Sequence, residues 1–259
     1  MRIRTAATGA LAASGTLALL TLLAPAAQAD THKGDTTFTS VTFSTSTVNV
    51  GVSAARSLTV VATAKDDSGI KGIYGGKLIS PDDHIAFPHA ATCTRPTSTT
   101  MKCTWTYSFD ANDSDDYADL QNTRAGTWHL DAEAAAYDTD FYTLDSSRSV
   151  KVKRYAKLTT TQASPEPVAK GRTLTVTGAL TRANWNTNVY AGYTSQSVAL
   201  QFKKSGSSTY ATVKNVTTDS AGKLRTTVTA NAAGTWRWKF AGTSTTSPVT
   251  ATGDSVALK

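Results

Sequence analysis

In Met101-Lys102-Cys103-Thr104-Trp105-Thr106-Tyr107-Ser108-Phe109, large apolar or sulfur-bearing side chains hold every second position, with polar ones between them. A period of two places the first set on one face of an extended chain and the second set on the other. A helix repeats every ~3.6 residues, so nine residues in strict alternation predict a half-buried strand. The same pattern runs outward in both directions. Leu58, Val60, Ala62 and Ala64 alternate with Thr59, Val61, Thr63 and Lys65; Trp128, Leu130, Ala132, Ala134 and Ala136 form a further row, and Val150 with Val152 another. Between the rows sits turn chemistry such as Asp66-Asp67-Ser68-Gly69. Helical spacing is nowhere sustained after residue 30.

The second half of the chain repeats the scheme. Leu174, Val176, Gly178 and Leu180 share a face, followed by Val198, Leu200 and Phe202, then Leu224, Thr226 and Val228, then Trp236, Trp238 and Phe240. Two segments recur in order. Arg56-Ser57-Leu58-Thr59-Val60 parallels Arg172-Thr173-Leu174-Thr175-Val176, and Ala125-Gly126-Thr127-Trp128 returns as Ala233-Gly234-Thr235-Trp236. The offsets, 116 and 108 residues, imply a duplicated unit of sandwich size. The sequence therefore predicts an all-β protein of two tandem immunoglobulin-like β-sandwich domains, residues 30–154 and 155–259, joined without a flexible linker near Tyr155.

Residues 1–29 carry Arg2 and Arg4, a short apolar stretch at Leu17 to Leu23, and the small-x-small tripeptide Ala27-Gln28-Ala29. This is the pattern of a cleaved secretory signal peptide, and the stretch is too short to span a bilayer. The expected mature protein is secreted and extracellular, with no membrane span. In that compartment Cys93 and Cys103, the only cysteines, are expected to form a disulfide between a loop and the strand containing Trp105; two ligands of a metal site is the rival reading.

Charge is unevenly distributed. Residues 30–154 hold 12 Lys/Arg and 16 Asp/Glu, whereas residues 155–259 hold 12 Lys/Arg against Glu166, Asp219 and Asp254 alone. A strongly basic extracellular domain points to an anionic cell-wall polymer, or to a solvated lysine-rich sheet face. Nucleic acid is not expected, because no nucleic-acid-binding motif is present.

Two clusters are candidate sites. In the tract from Asp110 to Asp119, the side chains of Asp110, Asn112, Asp113, Asp115 and Asp116 offer the dense oxygen ligands that calcium takes, joined by Asp66 and Asp67 or by Asp82 and Asp83; the alternative is a solvated acidic loop. The tract lacks the glycine and the final glutamate of an EF-hand, with Asp115 and Gln121 in their places. In Asn184-Trp185-Asn186-Thr187-Asn188-Val189-Tyr190, aromatic rings beside amides suit carbohydrate, or else the rings pack on the sandwich edge or the neighbouring domain. The four histidines, His32, His84, His89 and His129, form no legible triad or zinc pattern, and G-x-S-x-G, H-E-x-x-H and Walker loops are absent. The expectation is a non-catalytic binding or wall-associated module; calcium binding, or an enzyme or enzyme inhibitor with an unrecognisable site, are the alternatives.

Ser164 to Val168, Gly171 to Gly178, Ser197 to Phe202, Thr218 to Gly222, and Trp236 to Ser244, together with the Cys93 and Cys103 pair and Ala125 to Trp128, resemble small secreted two-domain Ig-like proteins of actinomycetes of the Streptomyces type. The resemblance implies the same sandwich fold and export. Some members carry a calcium-binding label without a defined site, so it implies no numbered ligands here.

Overall fold

The computed structural model describes residues 29–112 and 120–259, so the proposed signal peptide lies outside the described residues except for Ala29. Ten strands make the first sandwich: β1 (Thr31–Lys33), β2 (Thr37–Phe43), β3 (Thr47–Val50), β4 (Arg56–Lys65), β5 (Ile70–Ile79), β6 (Ile85–Ala86), β7 (Ala90–Thr97), β8 (Thr100–Phe109), β9 (Gly126–Ala136) and β10 (Phe141–Arg154). One sheet runs β2-β4-β8-β7, and the other runs β10-β9-β5-β6 with β1 and β3 both pairing with β10. With strands lettered in chain order, these are the ABED and CFG sheets of an immunoglobulin fold, and β3 adds the parallel edge beside the last strand.

The alternating rows become the facing inner surfaces. Leu58, Val60, Trp105, Tyr107, Phe109, Trp128 and Leu130 are all buried, and the Phe109 and Trp128 rings meet edge to face at 5.4 Å. A bulge at Gly75–Gly76 lets β5 pass close to Trp105: Gly76 has φ +64, and a Cβ there would lie 2.5 Å from the indole ring. The Tyr107 hydroxyl donates to the Gly76 carbonyl, and burial pushes its pKa well above the usual range.

The second sandwich comprises β11 (Ala156–Leu158), β12 (Gln162–Ser164), β13 (Thr173–Asn184), β14 (Val189–Gly192), β15 (Ser197–Lys204), β16 (Ala211–Thr217), β17 (Lys223–Thr229), β18 (Gly234–Phe240), β19 (Val249–Thr250) and β20 (Asp254–Val256). β12-β13-β17 packs against β16-β15-β18-β20, a Greek-key arrangement around buried Leu174, Val176, Leu200, Trp236 and Trp238. The first edge of this sandwich is made of two short strands, β11 and β12, which pair with opposite ends of the long strand β13. Among the described residues, the sole helical element is a 3-10 turn at Asn122–Arg124.

A single residue, Tyr155, separates β10 from β11. The joint is closed by the β13–β14 hairpin. Ala183 and Trp185, although carried by the second sandwich, belong to the buried core of the first. The indole Nε1 of Trp185 donates to the Val50 carbonyl at 3.3 Å, and its backbone N–H donates to Asn122 Oδ1 at 3.0 Å. Asn122 in turn donates to the side chains of Asn184 and Asn186, both at 2.8 Å. Arg154 is buried here, with Nε donating to the Ala183 carbonyl at 2.6 Å; burial and the nearby charge of Arg182 lower its pKa to about 10, so it stays charged at neutral pH.

Candidate functional site

Asp110 directly follows β8 and caps its own turn, accepting from the Asn112 backbone N–H at 3.0 Å. The Asn112 side chain meets that of Asn188 on the docked hairpin at 3.1 Å, so it is engaged at the joint. Asp113, Asp115 and Asp116 lie outside the described residues. Asp66 and Asp67 sit beside Thr100, where β8 begins, and so lie roughly 30 Å along the strand from Asp110, which follows its end. Asp82 is already held by Thr123 and Ser80 hydroxyls and lies 3.8 Å from Arg124.

The carboxylates that do converge come from three loops. Asp35, Asp66, Asp67 and Asp138 each bring an oxygen within 4.8 Å of the others. Asp66 is buried and accepts from Thr36 Oγ1 at 2.5 Å, Ser68 N at 2.8 Å and Ser68 Oγ at 2.6 Å. Burial opposes its charge, but these hydrogen bonds outweigh burial and hold the carboxyl below the usual range. Asp35 moves the opposite way, raised by desolvation and by the charges of Asp67 and Asp66. With one oxygen from each, the four carboxylates fall short of the six to eight oxygens calcium takes, so second carboxylate oxygens, backbone carbonyls or waters would complete any such shell. The sequence concealed this group because Asp35 and Asp138 are remote from Asp66 along the chain.

Trp185 is 2 % exposed and so offers no stacking face to a sugar; of the two readings of its tract, packing on the neighbouring domain holds for this ring and carbohydrate stacking does not. His129 Nδ1 lies 3.0 Å from the Ser146 carbonyl, and the His84 ring stands edge-on to Trp128. Cys93 and Cys103 are bonded, Cα atoms 4.1 Å apart, directly opposite each other on β7 and β8; Cys93 lies on a strand where a loop was expected.

The second domain presents a different surface. Within 4 Å, the ion pairs among the described residues are Lys33–Asp140, Lys77–Asp131 and Arg124–Asp82, all in the first domain. Among the described residues, none of the twelve cations in residues 155–259 has a carboxylate partner at that distance. The three acids there are occupied elsewhere. Asp219 accepts from the Lys223 and Ala221 backbone N–H groups, which lower its pKa. Glu166 is raised by burial and by a hydrogen bond with Asp254.

On the outer face of β15 and β18, Arg237 donates Nε to Gln201 Oε1 at 3.0 Å and stacks over Tyr210, guanidinium carbon 3.5 Å from the ring centre. Lys203 Nζ stands 5.1 Å from the same ring. Beside them lies an open depression of about 410 Å³ bordered by Lys203, Lys204, Ser205, Ser207, Thr235 and Ser255, with no carboxylate in its lining.

No family model and no curated protein matches the chain. Among solved structures it is similar to the D00-D0 domain of intimin (11 % identity, 84 % of this chain and 98 % of that chain, TM-score 0.27). It is also similar to dimeric latent PorU from Porphyromonas gingivalis (12 %, 86 % and 20 %, TM-score 0.28). The three N-terminal domains of the bacteriophage RB49 outer capsid protein Hoc match at 8 % identity, over 86 % of this chain and 71 % of that one, with TM-score 0.32. Scores this low leave the assignment of the fold to the strand order itself.

Proposed function

We propose that this is a secreted, non-catalytic binding module that attaches to anionic cell-wall polymer through its second domain. The observation that carries the reading is the unneutralised charge: twelve cations and no ion pair within residues 155–259. Folding such a domain accepts self-repulsion, which a polyanion relieves. The disulfide between β7 and β8 supports an oxidising, extracellular location.

Sedimentation with purified bacterial cell walls tests the reading. Binding is expected at low salt and release as ionic strength passes the physiological range, where exposed charges are screened over about 8 Å. Absence of binding at low salt overturns it, and salt-independent retention would favour neutral carbohydrate as the ligand. The calcium alternative read from the sequence is tested apart from this, by melting the protein in millimolar calcium and in chelator at matched ionic strength. A cation at one hundred times its Kd adds about 2.7 kcal/mol; coincident curves remove the alternative.

A further inference from the structure

We propose that Lys203, Tyr210 and Arg237, with the hydroxyl-lined depression beside them, form a phosphate site for a polymer of phosphodiester-linked units without nucleobases. This rests on the anionic-polymer reading above and names its ligand. Arg237 is fixed before any ligand arrives, because Gln201 holds its Nε and Tyr210 supports its plane. Neither contact uses the two Nη groups, which present a paired donor edge of the kind that grips phosphate. Lys203 approaches the same ring, so two like charges border Tyr210 with no carboxylate of the described residues within 4 Å of either. An anion between them is the missing counter-charge.

The depression favours phosphate over carboxylate. A carboxylate offers two oxygens in one plane, whereas a phosphodiester directs its oxygens tetrahedrally. Ser205, Ser207, Thr235 and Ser255 ring a concave surface with Lys203 and Lys204, and the Thr235 and Ser255 hydroxyls lie 3.0 Å apart. Nucleobases are disfavoured because the aromatic ring of this face, Tyr210, is already stacked by Arg237 and approached by Lys203. Thr235, Arg237 and Lys239 follow one another on the outer face of β18 at intervals of roughly 6.6 Å, so a chain seated in the depression meets further donors along the strand.

The test is titration calorimetry of the secreted chain at physiological salt with synthetic poly(glycerol phosphate), polyglutamate of equal charge, and single-stranded DNA of equal phosphate count. Poly(glycerol phosphate) is expected to bind about tenfold more tightly than the other two. The Lys203→Gln/Arg237→Gln pair is expected to weaken it about tenfold, and Lys223→Gln/Arg225→Gln, an equal charge loss on the opposite sheet, less than about threefold. Arg237→Lys keeps the charge without the fork, and an intermediate loss supports the site even if the double variant folds poorly. Equal losses from both pairs overturn the site but leave the polyanion reading standing. Tighter binding of DNA or polyglutamate overturns the assigned ligand, and failure of every polyanion at low salt overturns the functional reading itself.

Discussion

The two sandwiches share one ladder scheme and finish it differently. In the first, three of the twelve cations meet carboxylates, Lys77 with Asp131, Lys33 with Asp140 and Arg124 with Asp82, and Asp66 is sunk among hydroxyls. In the second, one carboxylate binds backbone, the other two bond each other, and every lysine and arginine is left facing solvent, aromatic rings or neutral partners. The inward apolar rows recur in both halves, whereas the ion pairs among the described residues lie in the first alone. Fold therefore resides in the repeated rows, and the recognition proposed above in what the second domain leaves uncompensated.

The sharpest way to break this symmetry is at Trp185. Trp185→Ala is expected to cost about 3–5 kcal/mol, and to cost it in the first domain although the residue belongs to the second. Trp238→Ala should cost a similar amount confined to the second domain. Denaturant unfolding followed by a probe in each domain distinguishes them; a Trp185 effect limited to the second domain would refute the docked hairpin. Next in size, Cys93→Ala/Cys103→Ala is expected to lower the first domain by about 3 kcal/mol on chain entropy, the bridge spanning ten residues, and to spare the second.

Asp66→Asn should cost about 1–3 kcal/mol, since it disturbs the buried acceptor of Thr36 and Ser68. The same group gives the first domain acid sensitivity. Asp66 and Asp82 are held below their ordinary value of 3.8 in the folded state. The stability they lend is thus present above that value and is lost as pH falls through their depressed folded values. Glu166 in the second domain is raised above 4.5 and has the opposite sign: its contribution is present below 4.5 and lost as pH rises through the folded value. Below about pH 4 the first domain's melting temperature should drop faster than the second's, and Asp66→Asn should shrink the gap. Smallest of all, Lys77→Gln should change stability by less than about 1 kcal/mol, its partner Asp131 being well hydrated.

Much of this was legible because burial writes itself as alternation. Leu58 to Ala64, Met101 to Phe109 and Trp236 to Phe240 point inward as their spacing predicts. Elements without an inward apolar set left no such trace. β7 is an edge strand exposed along its whole length, with Pro96 where its register slips, and β16 is exposed along most of its length. The convergence of Asp35 with Asp138 depends on which loops share an end of a sandwich, which no local window contains. Trp185 is the instructive case: of the two readings open in the sequence, the ring packed on the neighbouring domain is the one that holds. An aromatic ring among asparagines is written the same way whether it awaits a sugar or a neighbouring core, and only tertiary context separates the two.

Trp185 also sets an order of events. A ribosome delivers residues 30–154 before residue 185 exists, yet the first core is complete only with that indole in place. The earlier domain therefore reaches its final packing after the hairpin of the later one has formed, reversing the usual precedence of chain over time. A nascent or truncated chain ending before Trp185 leaves an indole-sized vacancy in the first core.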